Sequence, residues 1–206
     1  MTEPRLQPRI APLEAPFAPE IDASLRAMMP RNSPLPPLAL FRVLVRDPRL
    51  AEAMTALGRF LLGRDCALDL HDRELVIDRV CARCGCEYEW GVHVTVYGAR
   101  AGFSPAELEA TRSGDAGSAV WSERDALLVR LVDELHDTAR VSDELWAALA
   151  RHWTEPQLLE LLLLAGWYHA ISFVGNGARV ALEDWAARFP PAGPEVAAKS
   201  GRPRIE

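Results

Sequence analysis

Residues 72–102, DRELVIDRVCARCGCEYEWGVHVTVYGARAG, decide how this chain folds. Apolar residues stand at 75, 76, 77 and 80, the spacing of a helix, and the run ends near Gly85. A second helical run, EYEWGVHVTVYGARAG, starts at Glu87 and stops at Gly102, a residue suited to a left-handed C-cap. With only a CGC turn between them, the two helices are expected to pack as a hairpin.

Working outward, the pattern stays helical. SPAELEA restarts a helix with Ser104 as N-cap, Pro105 in the first turn and Glu107 completing a capping box. Upstream, LALFRVLVRDPRLAEAMTALGRFLLGR reads as two helices broken at Asp47-Pro48, because a residue before proline avoids the α region. Downstream, Ser122 or Glu123 opens a helix with apolar positions 127, 128, 131, 132 and 135. Ser142 caps another, with Asp143 and Glu144 placed well for the helix dipole. Thr154-Glu-Pro-Gln caps a long apolar helix that includes Leu158 to Val174. No stretch alternates with period two for long enough to make a strand. The fold class is therefore all-α, a compact multi-helix domain. ELVIDRV…YEWGVHV and QLLELLL…GWYHAIS echo each other faintly, which fits either a duplicated helical unit or Leu-rich coincidence.

The ends differ from the middle. Residues 1–37 hold nine of the sixteen prolines, so this Pro-rich arm is expected to run extended over a surface. The single domain is expected to span 38–189, with a loose tail over 190–206. At 206 residues, 49% hydrophobic and 25% charged, the composition is globular. A formal charge of −6 argues against nucleic acid and anionic membrane as partners. Glu160, Tyr168, His169 and Ser172 inside the most apolar run point to a buried helix and not a membrane span. The N-terminus MTEPRLQPRI has no apolar signal region, so cytoplasmic location with reduced thiols is expected.

On a helix of about 100° per residue, Cys86, Glu89, His93 and Tyr97 share one stripe, with Trp90 beside it. A thiol at a helix N-terminus tends towards a lowered pKa. Glu74, on the preceding helix, comes back towards the same face if the hairpin forms. Several titratable types on one face are costly to bury without a purpose, which favours a site over plain packing. Zinc at Cys81, Cys84, Cys86 and His93 is disfavoured, because structural zinc spaces its ligand pairs apart. No metal and no cofactor are expected.

The segment RELVIDRVCARCGCEYEWGVHVTVYGARAGFSPAELEA resembles the carboxymuconolactone decarboxylase family, in the superfamily of alkyl hydroperoxidase D-like proteins; with flanking helices the resemblance covers about residues 38–185. In the peroxidase-type branch the pattern is a glutamate, eleven residues, then C-x2-C-x3-H. Here Glu74, Cys86 and His93 take three of its places, and Glu89 takes that of the second cysteine. A two-thiol cycle needs a resolving sulfur within disulfide reach, and Glu89 cannot supply one. Cys84 or Cys81 could do so only out of register.

The resemblance implies a cofactor-independent acid–base enzyme on a small carboxylate- or lactone-bearing substrate. His93, Glu89, Glu74 and Cys86 would be its catalytic residues, and Trp90, Tyr97, Tyr168 and His169 its substrate-binding ones. Arg73, Arg79 and Arg83 are the candidate anchors for an acidic substrate. It also implies a homo-oligomer. The alternatives are a thiol-dependent peroxide reductase and a non-catalytic helical binding module. His71, His136 and His152 are expected to be solvated, and Cys66 to be buried packing.

Overall fold

A computed structural model of the chain describes residues 7–30 and 33–189. Among these residues there are helices and no strand, in agreement with the all-α expectation. The order is α1 Pro19–Met28, α2 Ala39–Leu44, α3 Pro48–Leu61, α4 Leu70–Arg83 and α5 Glu87–His93. A π-helical turn, Val94–Gly98, then leads into α6 Ala99–Ala101. The chain continues through α7 Pro105–Ser113, α8 Glu123–Thr138, α9 Asp143–Leu149 and α10 Glu155–Ala178.

The arm is not extended throughout. Pro19 sits in the first turn of α1, where its missing N–H costs nothing, and the ten residues to Met28 are helical. Leu25 of α1 is fully buried with Val45 and Ala51, so apolar burial outweighs the proline-rich surroundings. The expected tail, 190–206, lies outside the described residues.

Local chemistry sets the breaks. The Asp47 side chain accepts from the N–H groups of Arg49 and Leu50 and opens α3. At the CGC turn Gly85 has φ +61°, Cys86 N–H donates to Cys81 O (2.8 Å) and Gly85 N–H to Ala82 O (3.0 Å). This Schellman closure turns α5 back along α4. Gly102 (φ +86°) closes α6 in the same way, with Phe103 N–H donating to Gly98 O. Ser104 and Glu107 form the capping box of α7, and Thr154 and Gln157 that of α10.

Helix α4 is the hub, packed against α5, α7, α8 and α10. Because it is enclosed, its charged residues are enclosed too: Asp72, Glu74, Asp78 and Arg79 are all buried. Arg79 donates to both carboxylate oxygens of Asp133 and to the carbonyls of Thr111 and Gly114. Asp72 takes both terminal nitrogens of Arg124 and the indole N–H of Trp153 (2.7 Å). The anchors of α4 are thus ionic on two sides and apolar between, through Leu75, Val76, Ile77 and Val80.

Helix α10 is long and apolar enough to cross a membrane by length and composition, and half of its most apolar window is buried inside the protein. Its Glu160 is buried and accepts from the Ala67 N–H (2.8 Å) and the Cys66 thiol (3.3 Å).

The segment after α10 closes over α5. Glu183 accepts from the Ala39 N–H (2.6 Å) and the Tyr88 hydroxyl (2.7 Å), while the Leu40 N–H donates to Tyr88. The free N–H groups of α2 are satisfied from far along the chain. A Cβ at Gly91 would lie 2.2 Å from the Ala187 carbonyl oxygen, so only glycine permits this approach. Gly91→Ala should therefore lower stability by about 1–3 kcal/mol, read as a shifted urea midpoint at unchanged slope.

Candidate active site

The site begins with the hairpin. Closing α5 against α4 brings His93 over Glu74, and the imidazole Nδ1 lies 2.7 Å from the Glu74 carboxylate. A carboxylate only accepts, so Nδ1 carries the proton and Nε2 is left to act. Nε2 lies 2.9 Å from the Tyr168 hydroxyl of α10. Glu89, one turn before His93 on α5, places an oxygen 3.7 Å from the same Nε2. Glu74 is 1%, Tyr168 2%, Glu89 5% and His93 6% exposed.

In this setting burial alone would strip the charge from His93. The Glu74 carboxylate, with Glu89 and Asp78 behind it, outweighs burial and holds the imidazole above its ordinary range. Burial raises the Glu89 carboxyl; His93 opposes the shift and Glu183 adds to it. Asp78, one turn along α4 from Glu74, is pushed well up by burial and by Glu74, and neither of its oxygens has a hydrogen-bond partner. Burial raises the Tyr168 phenol as well, with Glu89 and Glu74 adding to it.

Beside this relay lies a cavity of about 150 Å³. Glu89, His93, Tyr97 and Tyr168 line one side. Met28, Leu38, Phe41, Met54, Trp167 and Ile171 give it apolar walls. Two polar atoms there are buried without a partner: Glu89 Oε1 and the indole nitrogen of Trp185, which also lines the cavity. Among the described lining residues Arg59 is the single arginine, and it stands exposed at the edge.

The π-turn Val94–Gly98 follows His93 directly. It inserts one residue into the helical register while keeping Tyr97 on the cavity, its ring 5.4 Å from that of His93. No feature of the sequence reading anticipated that turn.

The structure brings Glu74, Glu89, His93, Tyr97 and Tyr168 together, and it separates the other candidates. Cys86 does not line the cavity; it is fully buried, with its sulfur against Gly175 of α10. Burial raises its thiol to about 11, although the Glu89 N–H at the start of α5 pulls the other way, so the lowering expected at a helix N-terminus is overridden. One short helix is too weak a dipole to offset full desolvation. Trp90 also points elsewhere: its indole N–H donates to Thr111 (3.0 Å) and its ring packs on Phe189. His169 faces His136, not the cavity.

None of the three candidate arginines lines the cavity. Arg73 donates to the Leu62 carbonyl and to Glu74, Arg79 is bound to Asp133, and Arg83 pairs with Asp137. His71 is not solvated, since its two ring nitrogens lie 2.9 Å from the Ala101 carbonyl and 3.0 Å from Asp125. Trp185 and Arg59 were not identified from the sequence; neither lies in a motif, and only the tertiary packing places them at the cavity.

The model of the carboxymuconolactone decarboxylase family matches residues 48–129. No protein of curated function matches the sequence. Among solved structures the chain is similar to an uncharacterized peroxidase-related protein from Silicibacter sp., at 15% identity over 89% of this chain and 96% of that one, with a TM-score of 0.73. It is also similar to a variant of the debrominase Bmp8 in complex with 2,3,4-tribromopyrrole (15% identity, 88% and 95% covered, TM-score 0.71). A third is a protein of unknown function from Agrobacterium tumefaciens, described as a candidate AhpD antioxidant defence protein (18%, 67% and 93% covered, 0.61). At these identities the likeness is one of fold.

The His93 pairing is open to direct measurement. Glu74→Gln removes the chief force that keeps the imidazole charged and leaves burial in place. The His93 titration followed by NMR should move to lower pH in that variant, and an unmoved titration would mean that Glu74 does not control the imidazole.

Proposed function

We propose that this chain is an acid–base enzyme of the carboxymuconolactone decarboxylase type, acting on a small substrate with an apolar body and a carboxylate or lactone group. The observation that carries the reading is the Glu74–His93–Tyr168 chain of contacts, 2.7 and 2.9 Å long, set at the wall of an apolar cavity. Glu89 Oε1 and the Trp185 indole N–H face the same space unpaired, and unpaired buried polar atoms are costly unless a ligand satisfies them.

In a decarboxylation the bond to the carboxylate carbon breaks and carbon dioxide leaves. The electron pair moves into a neighbouring unsaturated carbonyl, and the resulting carbanion then takes a proton. His93 in its imidazolium form supplies that proton from Nε2, directly or through the Tyr168 hydroxyl, and Glu74 holds the ring and balances its charge. The Trp185 N–H fits the oxygen on which negative charge develops. Arg59 at the exposed edge fits the departing carboxylate. The Glu89 carboxyl is a second acid beside the same nitrogen, and solvent restores the proton after turnover.

Thiol-dependent peroxide reduction is the second reading. In its favour, Cys81, Cys84 and Cys86 all lie around the Ser172 hydroxyl. Against it, a thiol at about 11 holds little thiolate at neutral pH, and the thiolate is the nucleophile. A flat apolar ligand also fits the lining, so tribromopyrrole, the ligand of the debrominase neighbour, makes a third probe.

The test is a parallel assay of the purified chain with carboxymuconolactone for release of carbon dioxide, with an alkyl hydroperoxide for thiol loss, and with tribromopyrrole for bromide release. Carbon dioxide release should fall by about 10²–10⁴-fold in His93→Gln and stay largely intact in Cys86→Ala. Since the charged imidazole is the donor, the rate should decline as pH rises through the elevated His93 pKa. Peroxide-driven formation of an intramolecular disulfide, with activity lost in Cys86→Ala, would replace the decarboxylase reading by the thiol one. Bromide release without carbon dioxide release would likewise displace it.

A further inference from the structure

Away from the cavity, three helices meet at a cluster that the proposed chemistry does not use. Cys84 caps the C-terminus of α4, His136 lies in the last turn of α8, and His169 lies in the middle of α10. The Cys84 sulfur and one ring nitrogen from each histidine lie within 4.8 Å of one another. All three residues are half-buried.

The hydrogen bonds around the cluster decide which atoms face inward. His169 Nδ1 lies 2.8 Å from the Ala165 carbonyl, which only accepts, so Nδ1 bears the hydrogen. Its Nε2 lone pair therefore points inward, where it accepts from His136 Nδ1, 3.0 Å away. A backbone carbonyl that fixes the tautomer and turns the lone pair inward is the usual outer support of a metal-bound histidine. Cys84 is held in place on its backbone side, where Asn176 donates to its carbonyl (2.9 Å).

We propose that Cys84, His136 and His169 form a binding site for a divalent ion that prefers sulfur and imidazole, with Zn2+ as the type and a fourth position open to water. Tetrahedral zinc with bonds of about 2.0 Å to nitrogen and 2.3 Å to sulfur places its ligands about 3.3–3.6 Å apart. The histidine nitrogens, at 3.0 Å, need to part by only a few tenths of an ångström. The ion ties α4, which carries Glu74, to α10, which carries Tyr168, and so holds both ends of the His93 relay in register. The ligands are 33 and 52 residues apart along the chain, far from any C-x-x-C spacing, so no local motif marks the set.

The experiment uses the full chain, freed of metal with a chelator and then titrated with Co2+ and Zn2+. Co2+ should bind one per chain, with a sulfur-to-metal charge-transfer band and the intense visible bands of tetrahedral cobalt, and Zn2+ should displace it. Cys84→Ser should lose the charge-transfer band, and His136→Ala and His169→Ala should each weaken binding. Zn2+ should raise the unfolding temperature of the parent chain and not that of His169→Ala. If a variant does not fold, the spectrum of the parent chain still decides the matter. A parent chain without a sulfur band, or variants that bind Co2+ as the parent does, would overturn the site.

Discussion

A helix enclosed on every side cannot leave a charge in water, and α4 is such a helix. Of its four buried ionisable residues, Arg79 and Asp72 are met by opposite charge from α8 and its approach. Those pairs hold the bundle together, and breaking either would strand an ion in the core at a cost of several kcal/mol, on the order of 3–5. Glu74 differs. Its main partner is an imidazole, a group that carries charge in one protonation state only, and it can therefore take part in a proton transfer while remaining satisfied.

Asp78 completes this picture. It has no partner for either oxygen, and burial with Glu74 beside it favours its neutral form. Two carboxyl groups one turn apart in a dry interior do not both ionise readily. Of the two, Asp78 is the one pushed towards its neutral form. The same logic orders the pair around His93 Nε2, where Glu89 is pushed towards its neutral acid form and Tyr168 keeps its proton. The result is a row of proton-bearing groups facing an apolar hollow, with the charge held on the far side.

Cys86 shows how packing overrides a helix N-terminus: its sulfur packs against Gly175, where an added Cβ would come within 3.2 Å of it. Burial is the largest force against a thiolate there; the Glu89 N–H at the start of α5 favours it and does not outweigh burial.

The helices, the breaks at Asp47-Pro48, Gly85 and Gly102, and the caps at Ser104, Ser122, Ser142 and Thr154 were legible in the chain, because each is settled by neighbours within four or five residues. The hairpin followed from the shortness of the CGC turn, and with it the meeting of Glu74 and His93. Tertiary structure alone decided the rest. Tyr168 reaches His93 across 75 residues, and Trp185 and Arg59 come to the cavity from helices and loops that carry no motif. The α1 helix survives in a proline-rich arm because Leu25 finds a buried seat. Which way a side chain faces is set by the packing of whole helices against α4, and that depends on contacts far apart in the chain, where a local pattern holds no information.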